Sequence, residues 1–140
     1  MSYIILVVDD SPSMRKVVMK IIEMSGFPVN QFHEAGNGLE GLECCREQPV
    51  DLIVTDLNMP GMDGLTFIEQ LHQDPDLRQI PVIIVSTEGR AEIVDEAKDL
   101  GVVEFINKPF QAETIAKTMY RMLGVENDVR NDGTSETPDF

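Results

Sequence analysis

The chain has 140 residues, 42% of them hydrophobic, with 25 Asp and Glu against 11 Lys and Arg, giving a formal net charge of −14. That length makes one domain with a sizeable core, and the acidity argues against a nucleic-acid surface, which needs a basic patch. No run of 18 apolar residues exists to span a membrane, and the apolar stretch at 4–8 is too short, and lacks the preceding basic residues, for a signal peptide. A cytoplasmic protein with a solvated acidic surface is expected, with docking to a basic partner as the sharper alternative.

Strand-like runs alternate with helix-like periodicity, which implies an α/β fold with a parallel sheet. Strands are predicted near 3–8, 29–34, 51–55, 80–85 and 103–106, and helices near 12–25, 38–47, 64–73, 90–99 and 111–123. Met14, Val17, Val18, Ile21 and Ile22 give the first helix its apolar stripe. Ser11 suits its N-cap, Pro12 its first position and Gly26 its stop. Asn37-Gly38 opens the second helix, with Glu40 in capping-box position. Adjacent Cys44 and Cys45 point in different directions on that helix, so both read as reduced thiols, one facing the core.

Leu65, Ile68 and Leu71 line the third helix. Ile93, Ala97 and Leu100 line the fourth, which Gly101 stops, and Ile115, Met119 and Met122 line the fifth, which Gly124 stops. The methionines read as core filler, and His33 and His72, lacking partners at ligand spacing, as ordinary polar residues. Residues 125–140 change character to VENDVRNDGTSETPDF, five acidic and one basic. This composition predicts a disordered acidic tail following a domain at 1–124, or the start of a linker.

Chemistry is concentrated where the apolar runs end. Asp9-Asp10 closes YIILVV, Asp56 closes LIVT, Ser86 closes IPVIIV and Lys108 follows VVEFI. Ligands of open parallel sheets bind outside the carboxyl ends of the strands, so three carboxylates, a hydroxyl and an ammonium should meet in one crevice. Three carboxylates and one ammonium leave about −2, and hard oxygen donors of this kind suit Mg²⁺. A carboxylate can also attack phosphorus, and Asp56, alone at the end of the middle run, is the best candidate. Lys108 would add positive charge there, and Ser86 could donate to an incoming phosphoryl oxygen.

The pieces VVDDSPSMR, TDLNMPGMDG, PVIIVST and INKPF, correctly spaced over residues 3 to about 123, resemble the receiver domain of bacterial two-component response regulators, most closely the CheY-like single-domain type. The resemblance implies a doubly wound, flavodoxin-like sheet of five parallel strands in the order 2-1-3-4-5, flanked by five helices. It implies Asp56 as phosphoacceptor, assisted by Lys108, Ser86 and Thr87. It implies a Mg²⁺ site, open to Mn²⁺, of Asp9, Asp10, Asp56 and the Asn58 backbone carbonyl, and a cis bond before Pro109. Ser86 and Phe105 match the switch pair, and Asn58 and Glu88 the positions that tune attack of water on the acyl phosphate, here toward fast dephosphorylation. Phe105 departs from the Tyr of the CheY-like type and lacks a hydroxyl for a partner. Thr87 is bulkier than the residue often found there.

The function so implied is a stand-alone response regulator, a signalling phosphoacceptor rather than an enzyme. It would take a phosphoryl group from a histidine kinase or acetyl phosphate. The surface of its fourth helix, fifth strand and fifth helix would then change toward a downstream target such as a flagellar motor switch protein in chemotaxis. No nucleic acid or membrane is implied, and the expected state is a monomer, able to dimerise on phosphorylation. The alternatives are a receiver cut from a multidomain regulator, a phosphorelay shuttle, and a haloacid-dehalogenase-type phosphatase. The last places its nucleophile in a D-x-D motif on the first strand, whereas here that strand ends in Asp-Asp-Ser.

Overall fold

The computed structural model describes residues 2–86, 91–100, 103–108 and 111–123. Thr87, Glu88, Pro109, the stop signals Gly101 and Gly124, and the acidic segment 125–140 lie outside the described residues. Five strands alternate with five helices: β1 (Tyr3–Val8), α1 (Pro12–Met24), β2 (Val29–Ala35), α2 (Gly38–Glu47), β3 (Leu52–Thr55), α3 (Gly64–Gln73), β4 (Val82–Ser86), α4 (Ala91–Asp99), β5 (Val103–Asn107) and α5 (Ala112–Met122). Each element falls within two residues of its predicted position. The sheet order is β2-β1-β3-β4-β5, and every pairing is parallel. Among the described residues no helix is long and apolar enough to cross a membrane.

The strands read as continuous apolar runs because both sheet faces are covered. Alternate residues go to opposite sides. Leu6, Val8, Ile53, Val82 and Ile84 join Leu42, Phe67, Ile68, Leu71 and Ala97 of α2, α3 and α4. Tyr3, Ile5, Val7, Leu52, Val54, Ile83 and Val85 join Val18 and Ile22 of α1 and Ile115 and Met119 of α5. Phe27 stacks on Tyr3 with ring centroids 5.3 Å apart and meets Tyr120 edge-on at 5.0 Å, tying α5 to the start of β1.

The helix starts follow local chemistry. Ser11 Oγ accepts from Met14 N, and Asn37 Oδ1 accepts from Glu40 N at 2.9 Å. Asp63 caps α3 through Thr66 N. Gly26 takes a left-handed φ of +82° after α1, as a helix stop requires.

Three details differ from expectation. Glu40 accepts from Gly36 N at 2.8 Å rather than from the Asn37 cap N–H, so it fastens the residue before the cap. Val17 is 47% exposed, because the inward face of α1 is narrowed to Val18 and Ile22, with Met14 and Ile21 at its margins. In α3 the buried face runs through Gly64, Phe67, Ile68 and Leu71, with Leu65 at its edge. Of the cysteines, Cys45 is buried and Cys44 half-buried, and both are free thiols. Burial, followed by the adjacent Cys44, pushes the Cys45 thiol up to about 12.

Candidate functional site

The chain leaves β1 toward β2 on one side, while β3 lies on its other side. This reversal of winding opens a crevice at the carboxyl ends of β1 and β3. Asp9 follows β1 and Asp56 follows β3, and their main chains are fixed there. Asp9 N donates to Ala35 O at 3.0 Å, and Asp56 N donates to Val8 O at 3.0 Å. One ligand oxygen from each of Asp9, Asp10 and Asp56 lies within 4.8 Å of the others. Lys108, just past β5, brings Nζ to 3.7 Å from Asp9 Oδ2 and 3.8 Å from Asp56 Oδ2.

Asp9 is buried, Asp56 half-buried and Asp10 exposed. Asp9 Oδ1 accepts from Ser11 N at 3.0 Å, and Asp56 Oδ1 accepts from Leu57 N at 2.7 Å. Burial raises the Asp9 carboxyl above its ordinary value. The Ser11 N–H opposes this, the Asp56 charge adds to it, Lys108 lowers it and Asp10 raises it slightly. One ammonium thus leaves the cluster short of neutrality. An octahedron of oxygens at ~2.1 Å has opposite ligands ~4.2 Å apart, so this donor set fits Mg²⁺ after a small contraction.

Ser86 closes β4 and is fully buried. Lys108 N donates to Ser86 O at 2.9 Å, which brings the ends of β4 and β5 to the crevice together. Phe105 pairs in register with Ile84 and is half-buried against the α2–α4 core. Asn58 is exposed on the loop after β3. The fold therefore brings together Asp9, Asp10, Asp56, Lys108 and the end of β4. Phe105 stands one alternation back on β5, and Asn58 lies on the neighbouring loop.

Three further residues shape the crevice and were not read from the sequence. Thr55, buried, donates from Oγ1 to Asp56 O at 2.9 Å. Gly64 lies so close to this carbonyl that a Cβ would collide with Asp56 O and would stand 2.8 Å from Leu57 Cα. Arg15 Nη1 donates to Asp9 O at 2.6 Å. The available signals were a hydroxyl next to the nucleophile candidate, a glycine at the start of α3, and a cation one turn past the Ser11 cap.

The response regulator receiver domain model matches residues 5–120. Chemotaxis protein CheY-3 of Vibrio cholerae is 36% identical over 119 residues, covering 85% of this chain and 90% of that protein. Chemotaxis protein CheY of Bacillus subtilis is 35% identical over 123 residues, covering 88% and 99%. The high-resolution structure of the chemotaxis response regulator CheY4 of Vibrio cholerae superposes with a TM-score of 0.75 at 30% identity, covering 87% of this chain and 99% of that one. With the strand order and the carboxylate crevice already matching that pattern, the chain belongs to the response regulator receiver domain family, as a CheY-like member.

Proposed function

We propose that the domain is a phosphorylation switch whose phosphoacceptor is Asp56. The observation that carries this is the meeting of Asp9, Asp10 and Asp56 within 4.8 Å, with the Lys108 ammonium against two of them. Mg²⁺ bound by the three aspartates and the Asn58 carbonyl supplies neutralisation of carboxylate and phosphoryl charge. Asp56 uses the oxygen not engaged by Leu57 N to attack phosphorus. A P–O bond to the carboxylate forms as the donor's P–N bond to a phosphohistidine, or the P–O bond of acetyl phosphate, breaks. The leaving imidazole takes up a proton, and acetate leaves as the anion. Lys108 holds the transferred group by charge, and Ser86, with Thr87, donates to its oxygens. Transfer of this type depends on positioning and charge more than on covalent help.

The new charge and acceptor oxygens draw Ser86 toward Asp56, and Phe105 moves further into the core. The surface of α4, β5 and α5 then changes its partner, as a population shift of a few kcal/mol. Water attack on phosphorus, tuned by Asn58 and Glu88, returns Asp56 to a free carboxylate and releases phosphate. A histidine kinase is the upstream partner. The names of the relatives favour a chemotaxis role; in that role a motor switch protein would be the downstream target.

Intact-mass spectrometry after incubation with acetyl phosphate tests this. One phosphoryl adduct is expected with Mg²⁺, and none with EDTA or in Asp56→Asn. An adduct persisting in Asp56→Asn would refute the assignment, and sustained turnover of a chromogenic phosphate monoester would replace the switch by a phosphatase.

A further inference from the structure

Asp10 is the exposed member of the acidic triad, so its carboxylate is placed through its main chain. Both peptide groups flanking Asp10 are clamped. The Asp10–Ser11 peptide gives its N–H to Asp9 Oδ1 at 3.0 Å. The Asp9–Asp10 peptide receives, on its oxygen, the hydrogen bond from Arg15 Nη1 at 2.6 Å. Because a peptide group is planar, holding its oxygen fixes the rotation that aims the Asp10 Cα–Cβ bond.

Arg15 is itself anchored. Its backbone N donates to Ser11 O at 3.0 Å in the first turn of α1, and its Nε donates to Glu34 Oε1 on β2 at 2.9 Å. Its side chain is 16% exposed. Its Nη1 stands 3.8 Å from where a Cβ on Gly36 would lie, beside the Gly36 N–H that Glu40 Oε1 accepts. A two-pronged planar cation suits this bridge, since one prong takes the carbonyl and the other the carboxylate.

We propose that Arg15 is a positioning residue of the metal pocket, bracing the Asp9–Asp10 peptide from β2 so that the triad is set for a divalent cation. This holds only if the triad binds Mg²⁺ as read above. It makes a prediction opposite in sign to simple electrostatics. Arg15 is a cation beside an acidic cluster, and removing its charge alone would strengthen Mg²⁺ binding. Removing a brace weakens it.

Isothermal titration of the full chain with MgCl₂ separates the two, with thermal unfolding of each metal-free protein to establish that it is folded. Lys16→Ala, an exposed neighbour of the same charge, is the electrostatic control and should bind Mg²⁺ as the parent does or slightly tighter. Arg15→Ala should bind about tenfold more weakly, the range seen for residues that orient metal ligands. Arg15→Gln, a milder change with similar helix propensity, should weaken binding in the same direction and serves if the alanine variant does not fold. Equal or tighter binding by a folded Arg15 variant, relative to Lys16→Ala, overturns the positioning role and leaves the metal site standing. Absence of Mg²⁺ binding by the parent overturns both.

Discussion

Replacing Gly64 by alanine should damage phosphorylation far more than it damages the fold. Gly64 opens α3, and its N–H donates to Leu57 O at 2.9 Å. Its φ is not left-handed, so the constraint is space. An added Cβ collides with Asp56 O and stands 2.8 Å from Leu57 Cα and 3.1 Å from Leu57 Cδ2. Relaxed C···O contacts lie at ~3.3–3.6 Å, so the Asp56–Leu57 peptide or the start of α3 must retreat by ~1 Å. Overpacking of this kind costs about 1–3 kcal/mol, offset by at most ~1 kcal/mol of helix propensity. A net loss of about 1–2 kcal/mol corresponds to a fall in Tm of roughly 3–8 °C. The same ~1 Å displacement acts on Asp56, the proposed phosphoacceptor, where misplacement of that size costs ~10²-fold in rate. Gly26→Ala is the matched control. It strains a φ of +82° but meets nothing within 4 Å, so it should lose similar stability and phosphorylate normally. The assay is the rate of mass gain with acetyl phosphate and Mg²⁺ at 15 °C, with thermal melts establishing that each protein is folded there. If Gly64→Ala and Gly26→Ala react at the same rate, Asp56 is not positioned by this close contact and the reasoning fails.

The carboxyl of Asp9 is raised, chiefly by burial, so between the ordinary and the folded value the folded chain holds a proton that the unfolded chain has lost. Metal-free stability must then fall as pH rises through that window and stay reduced above it. Asp9→Asn should remove this decline and raise the metal-free Tm at pH 7, while losing most of the stabilisation by Mg²⁺; a pH series of thermal melts reads both. Lys108→Met removes a cation 3.7–3.8 Å from two carboxylates, so metal-free stability should drop. Mg²⁺ should bind about fivefold tighter, the ~1 kcal/mol that partly exposed charges exchange at this range; weaker binding by titration would contradict the reading of Lys108 as a competing cation. Cys45, buried and with its thiol pushed up to about 12, should stay unmodified by a thiol-specific disulfide reagent at pH 8 in the native protein and react fully in denaturant, which mass spectrometry of Cys44→Ser checks.

How much was legible in the sequence depended on whether a position's role was set by its own strand or by a neighbour. Asp9, Asp56 and Lys108 could be found because each follows an apolar run, and a parallel sheet puts all such ends on one edge. Strand order could not be read from periodicity. It came with the family resemblance, and β1 between β2 and β3 agrees with it. Phe67 escaped because the Leu65, Ile68, Leu71 stripe is also helical in period. The tight seat of Gly64 rotates α3 so that Phe67 faces α2, with a Cβ at Gly41 standing 2.9 Å from its Cζ. Arg15 and Thr55 escaped for another reason. They act on main-chain oxygens, Thr55 on that of the next residue and Arg15 on that of Asp9, and every residue carries such an oxygen, so no spacing rule marks which one a side chain will take.

The two cations at the crevice are not equivalent, and in the proposed cycle the difference lets one edge both bind and respond. Arg15 reaches the site through the Asp9 carbonyl and is tied to Glu34, so it belongs to the frame. Lys108 touches the carboxylates only at 3.7–3.8 Å, outside hydrogen-bonding distance, so its ammonium can follow a new negative charge at Asp56. Its own N–H is bonded to Ser86 O, and the register continues from Ser86 with Asn107 to Ile84 with Phe105. In the proposed cycle a pull on Lys108 is therefore felt first by the β4–β5 ladder and by the half-buried ring of Phe105. The exposed Glu104–Arg121 pair, at 3.1 Å, joins β5 to α5. The loosely held cation thus sits where β5 leads into α5, beside the end of β4 that leads into α4, while the firmly held one is tied to β2, where movement would spoil the proposed metal pocket.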